Sequence, residues 1–218
     1  MKYLFICLFA CFCTASFGQV YLGVSGSAGL SYWKWQIHSL DVDAGLDPAL
    51  GWRYAALVDW RLAPWAGIRT ELGTQVKAGK LDGLTFPDMT STGVYRERYQ
   101  YWEGSLMIEL YPFKKMRAFY LTGGATVGYL GRARRRSSIT ENGEHHTSTS
   151  PIELDNGLYN RTLYAADGGL GVQFSLDPVS RLRVEGRMQY GLNNYSAHSN
   201  VDARVSSVML GVAYLHRL

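Results

Sequence analysis

The residues able to do chemistry in this chain fall into four groups, and spacing argues against two of them as reactive sites. His198, Ser199 and Asn200 offer the residue types of a hydrolase. A histidine that activates a serine must reach its hydroxyl, but neighbours in an extended chain point to opposite faces, so His198 does not easily serve Ser199 as general base. Glu144, His145 and His146 are metal-ligating types, yet adjacent residues on one loop rarely make a metal site. The segment GGLG at 168–171 follows no helix-forming segment and reads as strand glycine rather than a phosphate loop. No catalytic residue, metal ligand or cofactor is assigned.

The third group is larger. Arg53, Asp59, Arg61, Arg69, Glu71, Lys77, Glu103, Glu109, Asp167, Arg183, Glu185 and Arg187 all stand within segments that alternate with apolar residues. Six are basic and six acidic, a balance that suits mutual ion pairing. The fourth group is the run RARRR, with Arg132, Arg134, Arg135 and Arg136. Arginine forks take phosphate well, so this run is a candidate phosphate contact.

What positions these residues is a repeated period of two. In 66–79, AGIRTELGTQVKAG, the even positions carry Ile68, Leu72 and Val76 and the odd ones Arg69, Glu71 and Lys77. That alternation is the mark of a β-strand. It recurs at 20–33, 52–63, 100–111, 118–131, 162–174, 181–193 and 204–218, eight segments in all. The gaps between them alternate in length: short at 63–65, 112–117 and 175–180, long at 34–51, 80–95, 132–161 and 194–203. Pro112 and the pair Asp177-Pro178 are turn-formers in two of the short gaps.

The chain of 218 residues opens MKYLFICLFACFCTASFG, a lysine followed by an apolar run and small residues. This pattern is a secretory signal peptide over 1–18, with the mature domain expected at 19–218. Cys7, Cys11 and Cys13 all lie inside it, so the mature domain holds no cysteine and is not a disulfide-stapled module. Without Lys2 the net charge falls from +4 to +3, too mild a balance to argue for nucleic acid.

Eight strands, with short turns on one side and long loops on the other, define an all-β fold: an eight-stranded antiparallel up-and-down transmembrane β-barrel with short periplasmic turns and long extracellular loops. Alternation alone also fits a soluble barrel of the lipocalin kind. Three features favour the membrane form. The segments are longer than the roughly 9–11 residues a tilted spanning strand needs. Small residues (Gly67, Gly73, Gly79, Gly104, Gly124, Gly128, Gly169, Gly171) crowd the polar face, as a narrow lumen filled by long side chains requires. Aromatics gather near strand ends, at Tyr32, Trp33, Trp52, Trp60, Trp65, Tyr111, Phe119, Tyr129, Tyr164, Phe174, Tyr190 and Tyr214, in the manner of two interfacial girdles. An eight-stranded lumen is barely wide enough for its own side chains. The twelve charges are therefore expected to form a salt-bridged plug inside it, and RARRR to lie at the outer rim, near lipopolysaccharide phosphates.

The segments YLGVSGSAGLSY, IRTELGTQVKAGK, EGSLMIELYPF, FYLTGGATVGYL, AADGGLGVQF, LRVEGRMQYGLNN and LGVAYLHRL resemble the PorT-like outer membrane protein beta-barrel family of Bacteroidetes. The resemblance covers nearly all of the mature chain and implies a small non-enzymatic barrel in the outer membrane of a Gram-negative bacterium. Its implied partners are outer-membrane lipid and lipopolysaccharide, the outer-membrane insertion machinery, and a protein held by the extracellular loops. The closing Gly211, Val212, Tyr214, His216 and Leu218 resemble the insertion signal of such barrels, with Leu in place of the usual Phe. The outer-membrane lipid A deacylases share this fold with a His/Ser pair, but their motif separates the two residues by one, whereas His198 and Ser199 are adjacent. Binding or passage of a small hydrophobic molecule is the remaining alternative.

Overall fold

A computed structural model describes residues 18–37, 42–85, 92–113, 118–141, 144–154, 157, 159–197 and 201–218. The signal segment at 1–17 lies outside them, as do His38, His198, Ser199 and Asn200. The described residues form nine strands: β1 (Gln19–Ile37), β2 (Val42–Ala63), β3 (Ala66–Thr85), β4 (Thr92–Leu110), β5 (Phe119–Glu141), β6 (Glu144–Pro151), β7 (Thr162–Ser175), β8 (Ser180–Gly191) and β9 (Val201–Arg217). Every pairing is antiparallel, and β1 joins β9 while β4 joins β5, so eight strands close into a ring. Closure leaves no open edge along the ring, so the backbone donors and acceptors of its eight strands are offered ladder partners on both sides. The ninth strand, β6, stands outside the ring, paired with residues 134–141 of β5.

Five strands run well past the expected limits, to 19, 22, 20, 19 and 23 residues for β1 to β5. Much of what the spacing predicts as loops at 34–51, 80–95 and 132–161 is strand. The reason is physical: alternation is imposed by lipid on one face, whereas the hydrogen-bond ladder continues into water with no such demand. At about 3.3 Å per residue, 23 residues greatly exceed an apolar band of roughly 25 Å, even at a steep tilt.

The wall is apolar outside and polar inside. Leu72 is 71% exposed, Leu106 59% and Val127 52% on the outer face, while their neighbours Glu71, Ser105 and Thr126 are buried. Trp102 pairs with Tyr129 on the upper rim, and Tyr32, Trp52, Tyr54, Tyr164 and Tyr190 share that outer surface. Trp65, Phe113, Phe174 and Tyr214 mark the lower rim. Two aromatics expected in these girdles lie inside instead: Trp33 packs against Tyr99 and Tyr195 at 4.7 and 5.2 Å, and Tyr111 donates to Glu109. Gly104, expected inside, faces outward, since a Cβ there would meet nothing within 4 Å.

Candidate functional site

All twelve charges of the alternating segments point into the lumen; ten are buried, and Arg61 and Glu185 are partly so. β2 and β3 deliver most of the cations, β4, β7 and β8 most of their partners. Nearest the short turns Arg183 donates to Glu109 at 2.7 Å, to the Tyr111 hydroxyl at 2.9 Å and to Asp59. Arg61 lies 4.1 Å over the Tyr111 ring and donates to Gln173 at 3.3 Å. Above it, Glu71 accepts from Arg53 at 2.5 Å and from both terminal nitrogens of Arg187 at 2.8 and 2.9 Å. Arg69 bridges Glu185 at 2.5 Å and Glu109 at 3.0 Å, joining the two levels. Higher still, Glu103 faces Arg53 at 3.6 Å and Lys77 at 3.7 Å. Lys77 also donates to Gln189, and Asp167 accepts from Thr126 at 2.5 Å.

An isolated buried charge costs several kcal/mol, so this lumen is tolerable only because the charges answer one another. Space is scarce: a cavity of about 30 Å3, lined in part by Ser25, Ser27, Arg53, Glu71 and Arg187, offers room on the scale of single waters.

The half of the lumen toward the long loops is sealed differently. Trp33, Tyr99, Tyr101, Leu130, Ala133, Leu163 and Tyr195 form a buried cluster, with Ile152, Leu154 and Tyr159 packed on it. The Trp33 indole donates to the Ala78 carbonyl at 3.1 Å, which satisfies its one polar group. Sequence reasoning misses this cap because Trp33 and Tyr99 stand where the strands have left the lipid, so alternation no longer labels their faces.

The run RARRR divides between the faces. On β5 the outward positions are odd-numbered up to Tyr129, but Tyr101 pairs with Leu130 and Gln100 with Arg132, leaving Gly131 as a bulge. One extra residue switches the parity of everything beyond it. Arg132, Arg134 and Arg136 therefore point outward. Arg135 points inward and pairs with Glu97 at 2.7 Å, a hydrogen-bonded contact that holds its guanidinium pKa above the ordinary value. This corrects the expectation that all four arginines share one contact. Val76, expected against lipid, lies at the floor of a cleft of about 180 Å3 between Trp52, Arg98, Gln100, Arg132 and Arg134. Arg96 and Arg98, which sequence reasoning passed over, join this surface from β4. Extending the β4 alternation upward past Gln100 would have found them. Among the described residues no group of three His, Cys, Asp or Glu is placed to hold a metal ion.

These features define a closed eight-stranded barrel with an apolar outer wall and a charged, side-chain-filled lumen, the architecture of small outer-membrane barrels. No protein-family model matches the chain, and no curated protein does. Solved structures do. Neisserial surface protein A is 15% identical over 88% of this chain and 95% of its own, with a TM-score of 0.39. Ail, the attachment invasion locus protein of Yersinia pestis, is 12% identical over 88% and 97%, at 0.37. The outer membrane protease OmpT of Escherichia coli is 10% identical over 92% and 97%, at 0.42. Likeness at this level says nothing of a shared role.

Proposed function

We propose that this chain is an integral outer-membrane barrel of a Gram-negative bacterium with a structural, assembly or surface-interaction role and no enzymatic one. A signal peptide over 1–18 would deliver it, and the insertion machinery would read the end of β9, where Val212, Tyr214, His216 and Leu218 alternate outward. The observation that carries this reading is the inversion of the wall, apolar outside and charged inside, together with a lumen closed at two levels. A solute path needs a continuous polar opening, and here ion pairs fill one half while an aromatic cluster fills the other.

Lipopolysaccharide is the lipid partner in this reading, met by the outward arginines Arg132, Arg134 and Arg136. A protein partner would be held by the extracellular hairpin of β5 and β6 and the neighbouring loops. The finer kinship, to the PorT-like barrels of Bacteroidetes, rests on the strand segments that carry the resemblance. Purified protein is expected to migrate differently on a gel before and after boiling and to fractionate with the outer membrane. In planar bilayers it is expected to show no steady conductance. Recovery as a soluble periplasmic protein, or a stable open channel, would overturn the proposal.

A further inference from the structure

The antiparallel register lines up side chains of four strands in rows across the outer wall. The girdle row is Tyr54, Thr74, Trp102 and Tyr129 on β2 to β5. The row above it is Trp52, Val76, Gln100 and Arg132; the next is Ala49, Ala78, Arg98 and Arg134; the third is Asp47, Lys80, Arg96 and Arg136. Each row stands about 7 Å further along the strands, two residues on. The first arginine thus lies one step above the aromatic girdle, at the depth where a bilayer carries its phosphates.

This arrangement is costly for the protein alone. Arg98 stands directly opposite Arg134, and Arg96 directly opposite Arg136. Like charges facing each other across a ladder repel. Among the described residues, Arg96, Arg98, Arg132, Arg134 and Arg136 make no side-chain hydrogen bond or ion pair, and all five are exposed. Six cations therefore stand in these rows, the five arginines and Lys80, with Asp47 the one acidic residue among them. Anions brought from outside would relieve this repulsion, and the cleft of about 180 Å3 between Trp52 and the arginines gives them a place.

We propose that this surface is a built binding site for the phosphates of an outer-leaflet glycolipid. Arg98, Arg132 and Arg134 grip phosphate, and Trp52 and Val76 floor the cleft. The acyl chains run down the wall over Leu72, Leu106 and Val127. The lipid is favoured over a soluble polyanion because the cleft opens on the outer wall of the barrel, directly above the exposed apolar belt. The site rests on the outer-membrane placement and the lipopolysaccharide contact proposed above, and adds Arg98 of β4 and the cleft residues Trp52 and Val76 to Arg132 and Arg134.

The test uses the full mature chain folded in zwitterionic micelles and titrated with fluorescent bisphosphorylated lipid A. Each arginine that donates to phosphate is worth roughly tenfold in affinity, so R98Q/R132Q/R134Q is expected to bind at least about a hundredfold more weakly. R135Q is expected to bind as wild type does. Dephosphorylated lipid A is expected to bind far less, and millimolar inorganic pyrophosphate to compete poorly. In lipid-free micelles the triple variant is expected to unfold at higher urea than wild type, because the repulsion is relieved. That readout also shows that the variant folds. Wild-type binding by the triple variant, equal binding of dephosphorylated lipid A, or full competition by pyrophosphate would each overturn the site. If the chain still fractionates with the outer membrane, the placement stands while the site falls; a soluble chain overturns the placement itself.

Discussion

Replacing Glu71 with alanine removes the carboxylate on which three lumen arginines converge. Arg187 suffers most, losing both bonds of a bidentate pair at 2.8 and 2.9 Å and keeping only Glu185 at 3.2 Å among the carboxylates. Arg53 loses its 2.5 Å partner and retains Ser105 at 3.2 Å and Glu103 at 3.6 Å. Arg69 gives up only a 3.5 Å contact and keeps Glu185 and Glu109. Breaking a buried pair on one side costs about 3–5 kcal/mol, and two strongly affected arginines place Glu71→Ala in the upper half of that range. Glu71→Gln keeps an acceptor but exchanges bonds of roughly 1.5–3 kcal/mol for ones nearer 0.5–1.5, so it falls between alanine and wild type. Removing both partners is a different matter. Glu71→Leu with Arg187→Leu removes the bidentate pair from both sides, so what remains is the Arg53 loss and the double variant should be more stable than Glu71→Ala. Urea unfolding of the barrel refolded into phosphocholine bilayers, followed by tryptophan fluorescence and gel mobility, measures all four proteins. The reasoning is refuted if Glu71→Ala lies within about 1 kcal/mol of wild type, or if the double variant is less stable than Glu71→Ala.

Four further outcomes follow from the same geometry. Trp33→Ala should cost about 3–5 kcal/mol and raise leak conductance in planar bilayers, whereas Trp33→Phe should keep the seal; equal leak from both would count against an aromatic cap. A Cβ on Gly124 would come within 2.1 Å of the Leu106 carbonyl oxygen and 2.7 Å of the Met107 Cα, so Gly124→Ala should push β4 from β5 and destabilise by roughly 1–3 kcal/mol or more. Gly104→Ala, facing open space on the same wall, should change urea stability by less than about 0.5 kcal/mol. In the β7–β8 turn, the Val179 backbone N–H first, and then the Ser180 hydroxyl and backbone N–H, hold the Asp177 carboxyl below its usual pKa. A depressed pKa means the turn gains stability above the usual carboxylate range and loses it as pH falls through the lowered value. NMR titration of the Val179 and Ser180 amides should therefore turn over below the usual carboxylate range, and Asp177→Asn should flatten it. Finally, His198→Ala and Ser199→Ala should leave lipid A acylation unchanged by mass spectrometry; altered lipid A would favour a lipid-modifying enzyme on this fold.

Within the stretches that alternate cleanly, period two was enough to say which charged residues face inward. Arg53, Arg69, Glu71, Glu109 and Arg183 could be assigned to one surface from the chain alone, because lipid forces every second residue to be apolar. Their sign balance was equally legible, and with it the expectation that a narrow barrel would be plugged by ion pairs. Alternation carries no register between distant strands, so it could not say that Glu71 would meet Arg187, 116 residues away, or that Arg183 would meet Asp59 across 124. Barrel closure decided those partners. It also decided what lies beyond the lipid, where the ladder runs on without an apolar face to announce it, and where Trp33 and Tyr99 cap the lumen. The run RARRR shows the boundary most sharply. Four arginines in a row of five were plain in the sequence, but one bulged residue, Gly131, sends three of them outward and Arg135 inward. A strand keeps its parity only while its pairing is unbroken, and where that pairing breaks is settled by the neighbouring strand.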